Sequence, residues 1–254
     1  MQKSSPRRAG KRPAPKPSPA PAAVVAGREP RGARRKRETR GRLLEAALRL
    51  MAEKGMEGVA INEITEAADV GFGSFYNHFE SKEAIHAALV DWVFEDFADA
   101  LDRLVAKVAD PAEVIAVSVR HTLLRARREP VWGQFLIREG FSPRAISRGL
   151  GQRLLRDIGK GIAAKRFSIA DPLMSFIAVG GTVLASVAVE LQLGELQTPE
   201  IAALKQQLGF SSDNLAERAA ALVLQTLGVS RGEAEKIAYR PLPTVEVQGQ
   251  MAVQ

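Results

Sequence analysis

Apolar residues recur at helical spacing from the first folded stretch of the chain. Leu44, Ala47 and Met51 repeat three and four residues apart, and Lys54-Gly55 is typical of a helix end. A shorter apolar stripe covers residues 61–68, residues 69–71 interrupt it, and Ser81 is a candidate N-cap for a helix that runs past residue 101. The pattern predicts three short helices that lead into one long helix.

The helical pattern continues to residue 227, and no segment alternates in the way a strand does. Prolines stand where helices should begin or end, at Pro111, Pro130, Pro143, Pro172 and Pro199. The predicted helices cover residues 111–128, 131–140, 143–165, 172–193 and 212–227, with a short helix near 233–237. The predicted fold class is therefore all-α.

One predicted helix contains a long uncharged run. Residues 172–189 are eighteen consecutive residues without a charge, which is the lower limit for a transmembrane span. The glycines Gly180 and Gly181 and several hydroxyl residues dilute its hydrophobicity, and a helix that is apolar all round also suits the interior of a helical bundle. We therefore favour a buried helix and expect no membrane contact.

The composition excludes several kinds of site. The 254-residue chain has no cysteine, and its three histidines are His78, His86 and His121. Disulfides, thiolate metal sites and cysteine nucleophiles are thereby ruled out, and we expect neither a metal centre nor a cofactor. The N-terminal stretch lacks the apolar segment of a secretory signal, so we expect a cytoplasmic protein.

Positive charge is concentrated at the N-terminal end. Residues 1–42 hold fourteen Lys or Arg against two acids, whereas the other 212 residues hold 22 bases and 27 acids. Seven of the fourteen prolines lie in residues 1–30, so we predict a disordered tail over residues 1–36. The basic block at residues 34–37 either contacts nucleic-acid phosphates or is simply solvated.

The segment from Phe72 to Lys82 carries side chains suited to DNA. An amide such as that of Asn77 pairs with adenine in the major groove, whereas hydroxyl and ammonium groups suit phosphates. Phe75 and Phe79 lie four residues apart and are predicted to face a small helical core. Two short helices joined by a tight turn, with a third helix before them, form a helix-turn-helix layout over residues 60–79.

This segment closely resembles the DNA-binding signature of TetR-type (TetR/AcrR) transcriptional regulators. The recognition helix of that family typically reads Gly, Thr or Ser, an aromatic residue or Leu, Tyr, any residue, His and Phe, followed by Ser-Lys-Glu. The matching residues here are Gly73, Ser74, Phe75, Tyr76, His78, Phe79, Ser81, Lys82 and Glu83. The resemblance covers residues 36–96.

The resemblance implies a domain order and a set of DNA contacts. Residues 37–97 would form the DNA-binding domain, residues 98–230 a helical ligand-binding and dimerisation bundle, and residues 231–254 a C-terminal extension. Asn77 and Phe72 are our candidates for base discrimination. The backbone or base-edge contacts would come from Thr39, Arg40, Ser74, Tyr76, His78 and Lys82.

Four positions depart from the family pattern in and around the helix-turn-helix. Ala60 stands where the family often has a hydroxyl N-cap, Asp69 stands where it usually has Gly, and Gly71 replaces the usual Ser cap. Phe72 occupies a position that is often polar, and suits a thymine methyl group rather than a hydrogen-bonding base edge. These departures bear on the operator sequence more than on DNA binding itself.

The remainder of the chain offers candidates for an effector pocket and a dimer interface. An apolar pocket is expected from His121, Trp132, Phe135, Leu136 and Phe176, and ordinary core packing explains each of these equally well. By analogy with the two interface helices of TetR-type dimers, the candidate dimer residues are Val183, Val187, Leu215, Ala219, Leu222 and Thr226.

The sequence therefore predicts a homodimeric repressor that a small, lipophilic ligand releases from a palindromic DNA operator. A helical enzyme is disfavoured, because catalysis needs a nucleophile–base pair or a metal cluster, and with no cysteine only His86 and His121 remain for it. A protein that coats DNA through its basic tail is a third possibility. Deletion of the tail would abolish its binding, whereas a specific regulator would keep its site.

Overall fold

The computed structural model describes residues 31–192, 207, 211 and 213–243. The predicted tail over residues 1–30 and most of the predicted C-terminal extension lie outside these residues. Within them the chain is helical and contains no strand, so the all-α prediction is confirmed.

Four helices make up the N-terminal part. They are α1 (Arg31–Lys54), α2 (Ile61–Ala67), α3 (Phe72–Tyr76) and α4 (Lys82–Val105). Helix α1 begins six residues inside the predicted tail, since Arg31 to Lys36 are helical. As predicted, the Ser81 hydroxyl caps α4 by accepting a hydrogen bond from the Ala84 amide at 3.2 Å.

Seven further helices follow in the described part of the chain. They are α5 (Pro111–Arg128), α6 (Pro130–Glu139), α7 (Pro143–Ser147), α8 (Gly149–Ala163), α9 (Pro172–Gln192), α10 (Leu215–Thr226) and α11 (Arg231–Ala238). Proline occupies the first turn of α5, α6 and α7, where its missing N–H has no helical partner to lose.

The helix predicted over residues 143–165 is wrong in one respect, because it is two helices. Arg148 is extended, and Gly149 has a φ of +55°. A β-carbon on Gly149 would lie 2.9 Å from the Phe94 β-carbon, so α8 starts where its backbone touches α4. This break comes from a tertiary contact that helical periodicity does not record.

The core is continuous between the two parts. Helix α1 packs on α2, α4 and α6, while α5 packs on α6, α8, α9, α10 and α11. Phe75, Phe94 and Phe135 are fully buried along this core. The DNA-binding unit, which we define as α1 to α3, is therefore joined to the C-terminal bundle through α4 and α6.

Helix α9 is the one helix among the described residues with the length and apolarity to cross a membrane. Its most apolar window has a mean hydropathy of 1.9, and only 17% of that window is buried within the chain. It packs against α5, α6 and α10. Its other face carries exposed apolar residues, including Leu173, Ile177 and Val189.

Candidate DNA-binding surface and effector cavity

The turn between α2 and α3 is held in place despite its unusual residues. Asp69 adopts the left-handed conformation, with φ +51°, and its carbonyl accepts a hydrogen bond from Arg42 Nη2 at 2.9 Å. Ala60 provides no side-chain cap to α2, and instead the Glu63 carboxylate accepts from the Ala60 amide at 2.8 Å. A salt bridge from Lys54 at 2.7 Å fixes Glu63 and lowers its pKa.

Helix α3 divides its aromatic residues between the core and the surface. Phe75 is fully buried and Phe79 nearly so, with ring centroids 5.8 Å apart. Phe72 and Tyr76 are 53% and 52% exposed and form an edge-to-face pair at 5.7 Å. Because Asn77 is also exposed, an aromatic and amide surface projects from a helix that its own core holds rigid.

Cations of α1 lie beside the end of this surface. The Arg40 guanidinium sits 5.1 Å above the Phe79 ring. Burial, and then the charges of Lys36 and Arg40, lower the pKa of His78, whose Nδ1 has no hydrogen-bond partner. At neutral pH the imidazole is therefore uncharged beside these cations. A phosphate brought close to it would instead favour the protonated form.

The remaining predicted DNA contacts are less exposed. Ser74 and Thr39 are half-buried. Lys82 lies against the α1–α2 loop, with its ammonium 3.5 Å from the Glu57 carbonyl and 3.8 Å from the Glu57 carboxylate. That these eight residues contact DNA stays a prediction, although the structure brings them to one end of the molecule.

A cavity of about 130 Å³ lies inside the C-terminal bundle. Most of its wall is apolar and comes from α4, α5, α6, α8, α9 and the α6–α7 corner. The lining residues are Leu101, Asp102, Val105, Ile115, Ser118, Val119, Thr122, Leu136, Gly140, Phe141, Leu150, Gly151, Arg153, Leu154, Asp157, Phe176, Val179, Gly180, Val183 and Leu184.

One end of the cavity is ionic. Arg153 Nε donates to Asp102 at 2.8 Å, and Arg156 donates to Asp102 at 2.6 Å and to Asp157 at 2.8 Å. The hydrogen bond from Arg156 is the largest cause that lowers the pKa of Asp102. The carboxylates of Asp102 and Asp157 therefore border an apolar space and can accept further hydrogen bonds.

These ionic residues were not predicted from the sequence. Their only signal is the run Arg153, Arg156 and Asp157, which places charge on the otherwise apolar face of α8. Asp102 is some fifty residues away on α4, so nothing in the local pattern links it to that run.

Only two of the five residues predicted to line a pocket do so. Leu136 and Phe176 are lining residues, whereas Trp132, Phe135 and His121 are not. Trp132 turns to Phe97, with ring centroids 4.9 Å apart, and Phe135 turns to Phe94 at 5.8 Å. His121 lies about 100° around α5 from its neighbour Thr122, which faces the cavity.

The residues predicted to form the dimer interface differ in how deeply they are buried. Val187 is fully buried and Ala219 is 4% exposed, so both side chains pack inside the single chain rather than on its surface. Their place in a dimer interface stays a prediction. Val183 lines the cavity. Leu215 and Thr226 are half-buried, and Leu222 is 53% exposed.

Two family descriptions match the chain. "Tetracyclin repressor-like, C-terminal domain" matches residues 110–240, which is half of the chain, and "Bacterial regulatory proteins, tetR family" matches residues 43–89. The curated repressor DhaR of Mycobacterium sp. (strain GP1) is 36% identical over 103 residues, 41% of this chain and 50% of DhaR. The repressor KstR2 of Mycobacterium tuberculosis is 36% identical over 78 residues, 29% of this chain and 37% of KstR2. The chain thus spans half or less of these curated relatives.

Solved structures extend the similarity over the whole fold. RolR in complex with resorcinol is 35% identical with a TM-score of 0.59, over 84% of this chain and 98% of RolR. FadR from Bacillus subtilis, in complex with stearoyl-CoA, shares the fold at 15% identity with a TM-score of 0.55, over 75% of this chain and 99% of FadR. With a helix-turn-helix, a helical bundle and these matches, the chain belongs to the TetR family of bacterial regulatory proteins.

Proposed function

We propose that this chain is a homodimeric repressor that binds a palindromic DNA operator and leaves it when a small hydroxylated aromatic compound binds. The exposed surface of Phe72, Tyr76 and Asn77 on a helix anchored by buried Phe75 is the observation that carries the proposal. Large aromatic side chains half exposed to solvent on a rigid helix suit an interface with a partner.

Base discrimination falls to Phe72 and Asn77 in this proposal. The Asn77 amide is suited to an adenine, and the Phe72 ring to a thymine methyl group. Ser74, Tyr76, His78, Lys82, Thr39 and Arg40 hold the phosphate backbone and so fix the register of α3 in the major groove.

Dimerisation uses the exposed face of α9 together with Leu222 of α10. Leu173, Ile177 and Val189 lie on one ridge of α9 at multiples of four residues and are 67%, 43% and 44% exposed. Gly181 lies on the same ridge, and a β-carbon there would meet nothing within 4 Å, so a partner helix can approach closely. A two-fold dimer presents two copies of α3 to half-sites about 34–36 Å apart or a multiple of that distance.

The effector is a neutral, single-ring aromatic compound with hydroxyl groups. A cavity of about 130 Å³ is close to the roughly 150 Å³ that accepts benzene in a protein core, and far below the roughly 300–1,000 Å³ of a drug-sized site. Asp102 and Asp157 accept hydrogen bonds from hydroxyl groups at its ionic end. The resorcinol named with the 35% identical RolR has this chemistry.

Effector and operator oppose each other because they favour different conformations of the dimer. A ligand changes an equilibrium only by the difference in its affinity for the two states, and the effect is reciprocal. Operator DNA must therefore weaken effector binding by the same factor by which the effector weakens operator binding.

Selection of bound sequences from random duplexes at about 150 mM salt tests the DNA-binding part. We expect the wild-type chain to enrich a palindrome and the Tyr76→Ala, His78→Ala double variant to enrich none. Tyr239→Ala is the matched control, because Tyr239 lies outside the DNA-binding unit, directly after α11, and is 51% exposed where Tyr76 is 52% exposed. Enrichment by the double variant, or binding without enrichment by all three proteins, would contradict the proposal. The second result would favour a coating role for the tail.

Titration calorimetry tests the effector part. We expect resorcinol to bind, toluene to bind more weakly for lack of hydroxyl groups, and resorcinol to lower the affinity for the selected palindrome. Tighter binding of octanoate than of resorcinol would contradict the assignment of ligand class, as would no binding of either aromatic compound.

A further inference from the structure

Helix α6 belongs to both the effector cavity and the contact with the DNA-binding unit. Leu136 on α6 and Gly140 directly after it line the cavity. Arg138, which lies between them in sequence, reaches α1 instead. A displacement of α6 at the cavity therefore changes its contact with α1 directly, with no other element between them.

Arg138 holds the C-terminal end of α1. Its Nε donates to the Ala52 carbonyl at 2.6 Å, and its Nη2 donates to the Glu53 carbonyl at 2.5 Å. These are among the last carbonyls of α1, which have no helical partner and carry the negative end of the helix dipole. Arg138 is exposed, so this contact joins two elements without forming part of the core.

The residues that follow Arg138 contact α4 through charged side chains. The Glu139 carboxylate lies 3.0 Å from His86 Nε2, which is an ion-pair distance without hydrogen-bond alignment. Arg144 Nε donates to Asp91 Oδ1 at 2.6 Å. Residues 138–144 therefore contact the end of α1 and the first half of α4 together.

Helix α6 is tightly packed on the side that faces α5 and α9. A β-carbon on Gly133 would lie 3.0 Å from the Ala126 β-carbon, and one on Gly140 would lie 2.9 Å from Leu184 Cδ2. Helix α6 is thus pressed against α5 and α9 at both ends. A molecule that enlarges the cavity pushes α6 away from those helices and alters its contact with α1.

We propose that Arg138 is the positioning residue that couples the effector cavity to the DNA-binding unit, through its two hydrogen bonds to the end of α1. This inference rests on the proposed function. It adds that occupation of the cavity, by whatever group, changes DNA affinity through this side chain.

A substitution that fills the cavity tests the coupling without a ligand. Val119 lies on α5, lines the cavity and is 5% exposed, so Val119→Phe places a ring inside it. We expect Val119→Phe to weaken binding of the selected palindrome by about 5- to 150-fold, the usual range of coupling between sites. In an Arg138→Ala background we expect less than about a twofold further change.

Two matched variants separate coupling from charge. Arg128 Nε donates to the Leu124 carbonyl of its own helix, so Arg128→Ala removes one positive charge and one arginine–carbonyl contact but leaves both α1 hydrogen bonds. Arg138→Lys keeps the charge and loses the planar two-point contact. The loss of operator affinity caused by Val119→Phe should persist in the Arg128→Ala background and shrink in the Arg138→Lys background. Should Arg138→Ala alone abolish operator binding, Arg138→Lys provides the deciding comparison.

Hydrogen exchange of the amides in the last turn of α1 gives a second readout that needs no DNA. Val119→Phe should accelerate this exchange when Arg138 is present and leave it unchanged in the Arg138→Ala background. An equal effect of Val119→Phe in both backgrounds, on operator affinity and on exchange, would overturn the inference. The inference would also be overturned if Val119→Phe changed neither operator affinity nor hydrogen exchange. Failure of the proposed function itself would be recognised separately, by the selection and the resorcinol titration.

Discussion

The two phenylalanines of α3 provide a paired test of the DNA-binding surface. Phe72 and Phe75 lie three residues apart on the same short helix, one 53% exposed and the other fully buried. Phe75→Ala should destabilise the fold, whereas Phe72→Ala should mainly reduce DNA affinity. The same chemical change therefore separates a packing role from a recognition role.

The expected magnitudes follow from burial. Removal of a fully buried phenylalanine ring costs about 3–5 kcal/mol, and Phe75 also contacts the rings of Tyr76 at 5.4 Å and Phe79 at 5.8 Å. Full burial of such a side chain contributes about 1.5–3 kcal/mol, so the half-exposed Phe72 accounts for about 1 kcal/mol of stability. Loss of one base contact costs about 1–3 kcal/mol of specific binding.

Denaturant unfolding followed by circular dichroism, at fixed protein concentration, measures the first quantity. Fluorescence anisotropy with the selected palindrome and with a random duplex measures the second. Phe72→Ala should weaken binding to the palindrome and leave the random duplex unchanged. Equal destabilisation by both variants would refute the assignment of faces on α3, and an unchanged preference in Phe72→Ala would refute its role in base discrimination.

Three further outcomes are expected. Burial holds the pKa of His121 below its ordinary 6.5. Below pH 6.5 the unfolded chain therefore binds a proton that the folded chain does not, so the free energy of unfolding should fall as the pH drops, and should fall less in His121→Gln. Above that pH this contribution is constant. Leu222→Glu should halve the mass found by sedimentation, while Leu155→Glu, 47% exposed on α8, should not. Arg166 bridges Asp110 at 2.9 Å and Glu233 at 2.8 Å, so Arg166→Ala should cost about 1–2 kcal/mol in urea unfolding. Arg231→Ala, whose side chain is 82% exposed, should cost under about 0.5 kcal/mol.

Most helix boundaries could be predicted because they depend on local chemistry. Pro111, Pro143 and Pro172 each begin a helix at the predicted residue, since proline suits a first turn and not a helix interior. The break before Gly149 depends on the approach of Phe94 from another helix. Helical periodicity alone does not place it, although Gly149 and Gly151 are residues at which a helix can end.

Whether a candidate functional residue could be predicted also depends on whether its signal is local in the sequence. The candidate DNA contacts of α3 could be proposed from the sequence because their spacing is a local pattern. Trp132 and Phe135 were assigned to the cavity because they are aromatic, but which neighbour a buried face meets depends on how the helices pack. The carboxylates Asp102 and Asp157 were missed because the polar end of the cavity exists only once α4 and α8 are side by side.

The length of α1 has a mechanical consequence. Its 24 residues span about 36 Å at roughly 1.5 Å per residue, with Arg138 at one end and the arginines Arg31, Arg34 and Arg35 at the other. Pivoted at the Arg138 end, a rigid rod of that length converts a tilt of about 5° into a displacement of about 3 Å at its tip. Three ångströms is the full length of a hydrogen bond. If the proposed phosphate contacts form, α1 acts as a lever arm, and a tilt of about 5° beside the cavity moves these cations by that distance.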